Sequence, residues 1–468
     1  MRWMPQRSMT LALAGVISAA TAAETPPNFL LIIADDCSHS ELPLFGGRNV
    51  ATPRIDRLAE EGMLFRSAYV SMSMCVPCRA ELYTGLYPLR SGVCWNHSSA
   101  TPGIESIVQH LGRLGYRTGI AGKVHATPRA VFPFEMVGGF ERNCVAETAA
   151  HDVSGIRAFM TRDPSGPFCL IVGLVVPHAP WTVGDPSAFD CAKLVLPPHF
   201  PDTPETRESL AKYLAEIAHL DVQVGDVLKA LDAAGQAGRT VVMFTSEQGG
   251  QWPGCKWTNW NQGLHTALIV RWPGRVTPGA KTDALVQYAD VLPTFLDIAG
   301  GKPEALGLDG TSFLRVLTGE RDTHRRFAYA MHNNVPEGPP YPIRSVTDGS
   351  FRYIRNLLPD ALYIEKHVMG STAHNPYWLS WLWASETDPH AYAMVRRYMR
   401  RPAEELYDTS ADSFELANLA ADPAHAARKA ALAAELDRWL AEQDDPGAPL
   451  DTQEALRRNR EAAKEQRR

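Results

Sequence analysis

Residues Met74 to Pro88 read M-C-V-P-C-R-A-E-L-Y-T-G-L-Y-P. Pro77 suits the first turn of a helix, where its missing N–H costs nothing. Gly85 suits the left-handed residue that ends one. Cys75 is therefore expected at or just before a helix N-terminus, where free N–H groups and the positive end of the dipole favour an anion. Arg79, four residues on, shares that face and brings a planar guanidinium able to grip an oxyanion through two hydrogen bonds. The stretch reads as a reactive or anion-holding cysteine. Cys75-x-x-Cys78 is also the spacing of a redox pair or of half a zinc site.

Other ligand-type side chains stand at the ends of apolar runs. Asn28 to Ala34 stops at Asp35-Asp36, and Arg117 to Gly122 stops at Lys123-Val124-His125. Pro167 to Val176 stops at Pro177-His178, and Thr240 to Thr245 stops at Ser246-Glu247-Gln248-Gly249. In open α/β sheets ligands bind outside the carboxyl ends of the strands, so these residues are expected along one edge. Asp35, Asp36, Glu247 and the amide oxygen of Gln248 are hard oxygen donors, suited to Ca2+ or Mg2+ rather than to zinc. The plainer use of Asp35-Asp36 is to cap the next element, and a histidine after a strand is often structural.

Short apolar runs alternating with amphipathic stretches predict an α/β sheet with helices on both faces. The helical stretches are Pro53 to Gly62, Ile104 to Leu114 and Pro204 to Gly235, the last with a stripe of Leu210, Leu214, Ile217, Leu220, Val224, Val227, Leu228 and Leu231. After about residue 320 the segments shorten to Phe327–Met331, Ile343–Thr347 and Phe351–Ile354, as in an antiparallel sheet. Pro402 to Leu440 reads as largely helical. Asp451 to Arg468, rich in Arg, Lys, Glu and Ala, reads as a solvated helix or a disordered tail. The expected divisions are a signal peptide at 1–23, a catalytic domain at 24–320, a C-terminal subdomain at 321–446 and a charged tail at 447–468.

Composition is that of an ordinary globular chain: 468 residues, 45% hydrophobic, 21% charged, net charge −6. Nothing in that balance points to nucleic acid, and no internal run is apolar enough to span a bilayer. Arg2 and Arg7, the small apolar stretch Met9 to Ala20 and the Ala20-Thr21-Ala22 cleavage pattern make a secretory signal peptide, so the mature chain is expected in a periplasmic or extracellular space. Eight cysteines in an exported chain invite disulfides whose pairing sequence cannot give.

The Cys75 stretch resembles the type I sulfatase signature, C-x-P-S-R followed by T-G and a later proline, at Cys75, Pro77, Arg79, Thr84, Gly85 and Pro88. The resemblance extends in order along the chain. It takes in Asp35-Asp36, Gly122-Lys123-x-His125, Pro177-His178 and Ser246-Glu247-Gln248-Gly249, then Asp290-Val-Leu-Pro-Thr294 and Glu405-Leu-Tyr-Asp408 through Asn418-Leu419. Tyr341-Pro342-Ile343-Arg344-Ser345 and Asn356-Leu357 resemble the heparan N-sulfatase (sulfamidase) branch. The resemblance implies an alkaline-phosphatase-like fold: a large mixed sheet sandwiched by helices, with a smaller C-terminal α+β subdomain on an antiparallel sheet.

It also implies that a maturation enzyme converts Cys75 to 3-oxoalanine (formylglycine), whose hydrate is the nucleophile. One Ca2+ would be held by Asp35, Asp36, Cys75 as modified, Glu247 and Gln248. Arg79, Lys123 and Lys256 would neutralise the sulfate, and His125 and His178 would move protons. Cys78 stands where the family has serine, Glu247 where it has aspartate, and Gln248 where it has Asn or His. His265 stands where many members have a substrate-binding arginine. Trp181, Trp252, Trp257 and Trp260 either stack on a sugar or pack the core. The expected activity is hydrolysis of a sulfate ester or N-sulfate on a sulfated sugar such as a glycosaminoglycan fragment. The alternatives are a phosphatase or phosphodiesterase of the same superfamily, a glycan-binding homologue without turnover, and a thiol oxidoreductase.

Overall fold

The computed structural model describes residue 1, residues 26–370 and residues 375–465. Apart from Met1, the segment read as a signal peptide lies outside the described residues.

The main sheet has nine strands: β1 (Asn28–Ile33), β2 (Met63–Tyr69), β3 (Arg117–Gly122), β4 (Glu135–Val137), β5 (Phe168–Gly173), β6 (Thr240–Thr245), β7 (His265–Arg271), β8 (Ala280–Thr282) and β9 (Val286–Gln287). Their order is β4-β3-β5-β1-β6-β7-β2-β8, with β9 also on β2. β4, β3, β5, β1 and β6 run parallel, and β7 runs antiparallel to both β6 and β2. The sheet is therefore mixed. The apolar runs are continuous because parallel strands are covered on both faces. Alternate residues of β1 serve two cores. Phe29, Leu31 and Ile33 meet Ile107, Leu111 and Phe295 on one side, and Leu30 and Ile32 meet Leu210, Leu214, Ile217 and Leu220 on the other.

The long helix spans Pro204–Ala233, with the Thr203 hydroxyl accepting from the Thr206 N–H at 3.1 Å. The helix expected from Ile104 begins instead at Ile107. Ser106 caps it, its hydroxyl accepting from Val108 N–H while the Gln109 side chain accepts from Ser106 N–H, so Ile104 is left outside.

A second, antiparallel sheet has the order β10 (Ala328–His332), β11 (Ile343–Thr347), β12 (Phe351–Asn356) and β13 (Glu404–Asp408). β13 corrects the helical reading of Pro402 to Leu440. Helices occupy Pro389–Met399 and Ala426–Glu442, and the residues between them include a strand. Pairing with β12 buries Leu406 against Leu432, Leu436 and Trp439, and this long-range contact overrides the helical preference of Glu and Leu.

The tail forms a helix, Gln453–Glu465, largely solvated but not free. Leu456 is buried in the larger core, and the Asn459 amide donates to Gly92 O and Ser99 O, both at 3.0 Å. Just ahead of it, the buried Asp451 carboxylate accepts the N–H groups of Asn334, Val335 and Tyr341 at 2.8, 2.9 and 2.6 Å.

Burial moves two sets of groups in ways that oppose each other with pH. It lowers His39 to about 4 and His199 and His332 to about 3, so these imidazoles fold neutral. Their stabilisation is complete above the ordinary 6.5 and is lost as pH falls toward 3. Burial raises Glu41, Glu81 and Glu365 to about 7 and Glu216 to about 8. Their stabilisation is complete below the ordinary 4.5 and is lost as pH rises through 7 to 8. Thermal unfolding followed across pH should give its highest Tm between 4.5 and 6.5; a Tm still rising at pH 8 would contradict this account.

Candidate active site

Five chain segments converge at the carboxyl ends of β1, β3, β5 and β6. Cys75 is the first residue of a helix, Cys75–Thr84, that is buried throughout and ends at Gly85, whose φ of 67° permits the left-handed cap. Glu81 fixes the helix by accepting from Ser71 N–H at 2.8 Å and Ala289 N–H at 3.1 Å. The Asp290-to-Thr294 motif is thereby structural: Asp290 accepts from Gln287 N–H and Thr311 N–H and pairs with Arg325, holding Ala289 in place.

Three buried cations meet three buried carboxylates around Cys75. Lys123 Nζ contacts Asp35 Oδ2, Lys256 Nζ lies 2.6 Å from Asp36 Oδ2, and Arg79 Nε lies 2.6 Å from Glu247 Oε1. Arg79 Nη1 donates to Lys123 O at 2.8 Å, and its Nη2 has no hydrogen-bond partner. Although burial works to raise it, Asp35 is held well below the usual carboxylate range, first of all by Lys123. Glu247 is pushed well above that range by burial and by Asp35, against Arg79.

The Cys75 Sγ lies 3.5 Å from Asp35 Oδ1, 3.7 Å from Asp36 Oδ1 and 3.3 Å from Gln248 Nε2. Burial, then Glu247, pushes its thiol well above its ordinary range despite Lys123 and Lys256, so the helix N-terminus does not make a thiolate here. Cys78 is buried with its thiol raised for the same first reason, and all eight cysteines are free. A neutral, enclosed, unbridged pair is the opposite of a thiol exchange site.

Asp35, Asp36, Cys75 and Glu247 each offer a ligand atom within 4.8 Å of the others. Glu247 Oε2 and Gln248 Oε1 are buried without partners. Oxygen donors of this kind, some unsatisfied and fully buried, fit a hard cation such as Ca2+. Gln248 turns its nitrogen toward Asp36 Oδ1, at 2.7 Å, so half a turn of the amide is needed to present its oxygen.

His178 directs Nδ1 at Ala179 O, 2.7 Å away, so the ring proton is on Nδ1. Nε2 faces Lys256 Nζ and Asp36 Oδ2, each at 3.4 Å, and burial lowers the imidazole to about 4. His125 lies on the Lys123 side. Its Nδ1 is buried and unpartnered, and burial followed by Lys123 and Arg79 keeps it well below 6.5. Of the seven non-glycine residues with positive φ among the described residues, Asp36, His125, Glu247 and Trp257 belong to this site, which concentrates backbone strain where side chains must be aimed.

His265 is not brought to this cluster. It begins β7 opposite Tyr69, its ring 3.9 Å from that of His39, in a separate cavity with Phe45 and Asn261. Trp181 and Trp252 stack at 4.7 Å in an aromatic core, and Trp260 lies under Arg397 and Arg401. Among the four tryptophans, Trp257 is the one beside the site: Lys256 Nζ sits 4.7 Å above its ring.

Sequence reasoning missed what lies beyond Trp257. Its indole stacks on His367 at 5.2 Å, and His367 Nε2 and Lys366 Nζ reach Glu337 Oε2 at 2.6 and 3.0 Å. Asn96 Nδ2 donates to Glu337 Oε1, and the ring of the adjacent His97 meets His125 edge-on at 5.5 Å. Asn96 and His97, joined in this way to Lys366, carry no helical or strand periodicity that would have marked them.

A buried charged cluster of this kind at the strand ends is suited to chemistry at an anionic centre. The sequence model of the family described as Sulfatase matches residues 27–301, and that described as N-sulphoglucosamine sulphohydrolase, C-terminal, matches residues 255–355. Human N-sulphoglucosamine sulphohydrolase is 30% identical over 477 residues, spanning 90% of this chain and 91% of that protein. An ulvan-active sulfatase of Formosa agariphila is 29% identical over 440 residues, spanning 92% and 83%.

Solved structures share the fold. One, in complex with D-glucosamine-2-N,6-O-disulfate, has a TM-score of 0.67 at 18% identity over 90% of this chain and 99% of the other. The phosphonate monoester hydrolase of Agrobacterium radiobacter has a TM-score of 0.68 at 20% identity over 89% and 96%. The chain belongs to the sulfatase family, in its sulfamidase branch, and is a sulfuric ester hydrolase.

Gly173 closes the argument from local structure to site. A Cβ there would stand 2.4 Å from Lys123 O and 3.0 Å from Arg79 Nη1, against the bond that aims Arg79. Gly173→Ala should lower kcat on an aryl sulfate by on the order of a hundredfold with an unchanged far-ultraviolet spectrum; unchanged kcat would mean that Arg79 does not need this placement.

Proposed function

We propose that this chain hydrolyses the sulfate ester or N-sulfate of a sulfated sugar, a hexosamine of a glycosaminoglycan-like chain, after export and after conversion of Cys75 to 3-oxoalanine by a maturation enzyme. The observation that carries the reading is the convergence of Arg79, Lys123 and Lys256 on Cys75, each already paired with a buried carboxylate. Preorganised charge of this kind costs no rearrangement when an anion arrives. The sugar is supported by the relationship to human N-sulphoglucosamine sulphohydrolase and by the fold neighbour solved with a glucosamine disulfate. The half-exposed Lys366 and the His367 beside it suit a polyanionic substrate.

Asp35, Asp36, Glu247 and Gln248 would hold one Ca2+, which when bound polarises a sulfate oxygen and balances carboxylate charge. Lys123 and Lys256 would donate to the sulfate oxygens, and Arg79 would fix the group at position 75. The Cys75 side chain, as an aldehyde hydrate, would place the attacking oxygen where Sγ now lies. His178 Nε2, beside Lys256, would exchange a proton with the leaving atom, and His125 would act from the Lys123 side.

Chelation should abolish turnover, with Ca2+ restoring it. Stoichiometric zinc and no calcium in the active protein would contradict the ligand assignment.

Position 78 tests the role of position 75. Cys75→Ala should remove nearly all activity, while Cys78→Ser should retain it, and the mass of the Cys75 peptide from the native host should carry the aldehyde. Two inactive variants with no aldehyde in the wild type would overturn the proposal.

A further inference from the structure

Helix Pro389–Met399 carries Arg396 and Arg397 in its last turn, and Arg400 and Arg401 follow directly beyond its end. The four line one cavity of about 370 Å³, which also takes in Trp260 and Tyr392. None of the residues around Cys75 lines it. A helix C-terminus favours a cation, but four guanidinium groups in one cleft repel each other. None of the four is paired with a carboxylate among the described residues.

Among the described residues the lining holds one carboxylate, Glu405, which accepts from Trp260 Nε1 at 2.8 Å, Tyr407 OH at 2.6 Å and Asn356 Nδ2 at 2.6 Å. Arg397 and Arg401 are held against aromatic rings rather than in an ion pair. Their guanidinium carbons sit 3.7 and 4.3 Å from the centre of the Trp260 ring, and Arg401 lies 3.9 Å from that of Tyr363. Arg397 Nη2 donates to Glu415 O and Arg401 Nε to Tyr398 O, leaving Arg397 Nε and Arg401 Nη2 buried without partners. Arg401 is only 4% exposed. A guanidinium nitrogen without an acceptor, in a cleft lined by three more arginines, is suited to an oxyanion.

We propose that this cleft is a second binding site, separate from the Cys75 site, for a sulfate or carboxylate group carried on a saccharide. Arg397 and Arg401, pinned by the aromatic rings, would receive the oxyanion. Arg396 and Arg400, both exposed, would reach a neighbouring charge. Tyr392, 53% exposed at the edge, offers an aromatic face to a sugar ring. The cavity is near the lower end of the size range of small-molecule sites, enough for one sugar unit with its charged group. The saccharide part of the assignment rests on the proposed activity; the oxyanion part does not.

Calorimetric titration of the full chain carrying Cys75→Ala with a heparin-derived tetrasaccharide tests this without turnover. Two binding events are expected. Adding Arg396→Ala and Arg400→Ala, both at exposed positions, should weaken one event by on the order of tenfold or more, as loss of two charge-assisted contacts does. The same pair in the Cys75 background should leave aryl sulfate turnover unchanged. Identical isotherms with and without the arginines overturn the site. Equal binding of uncharged cellotetraose overturns the anionic ligand, and sodium sulfate binding as tightly as the tetrasaccharide overturns the saccharide. If instead the proposed activity is wrong, the arginine-dependent event remains and only the other is missing.

Discussion

Everything in this molecule depends on keeping three cations and three carboxylates dry around one cysteine. Each pair is buried, and removing one partner from the Lys123–Asp35 or Lys256–Asp36 pair costs about 3–5 kcal/mol because the other charge is left uncompensated. Arg79 comes from the Cys75 helix and Glu247 from the end of β6; Lys123 follows β3 and Asp35 follows β1; Lys256 lies in a loop and Asp36 beside Asp35. The pairs therefore tie five segments into one arrangement. The sheet makes this affordable, since its parallel strands bring all those ends to one edge with no freedom left to lose on binding.

The same enclosure decides the state of the cysteine. A helix N-terminus and two lysines would ordinarily favour a thiolate, but burial and Glu247 outweigh them. A neutral thiol is a poor nucleophile, so the position is shaped for an uncharged group set among charges. This separates the site from a Cys-x-x-Cys redox centre on physical grounds, independently of any likeness to known sulfatases.

The C-terminal third is not an appendage. Glu405 on β13 accepts from Trp260, and Tyr363 OH donates to Trp257 O at 2.7 Å. Asp451 holds the backbone at Asn334 and Val335, next to the Glu337 that binds Lys366 and His367. Glu405 of the smaller sheet and Tyr363 from a connection thus brace the loop carrying Lys256, other connections supply the groups beyond Trp257, and the cluster of arginines grows from the same packing around Trp260.

The sequence by itself determined the chemistry and the order of the parts. Apolar runs ending in Asp35-Asp36, Lys123-x-His125, Pro177-His178 and Glu247-Gln248, with Cys75 opening a helix, were legible because strand burial and helix caps are local and leave periodic marks. The departures from those marks have one cause. β13 was hidden because a strand at Glu404–Asp408 exists only through its pairing with β12. His265 stood in a suggestive place in the sequence, yet the antiparallel turn into β7 carries it to His39 and Tyr69 instead. Glu337, His367 and Arg401 had no signature at all. Which residues meet across long stretches of chain is settled by how whole elements pack, and only the tertiary structure holds that information.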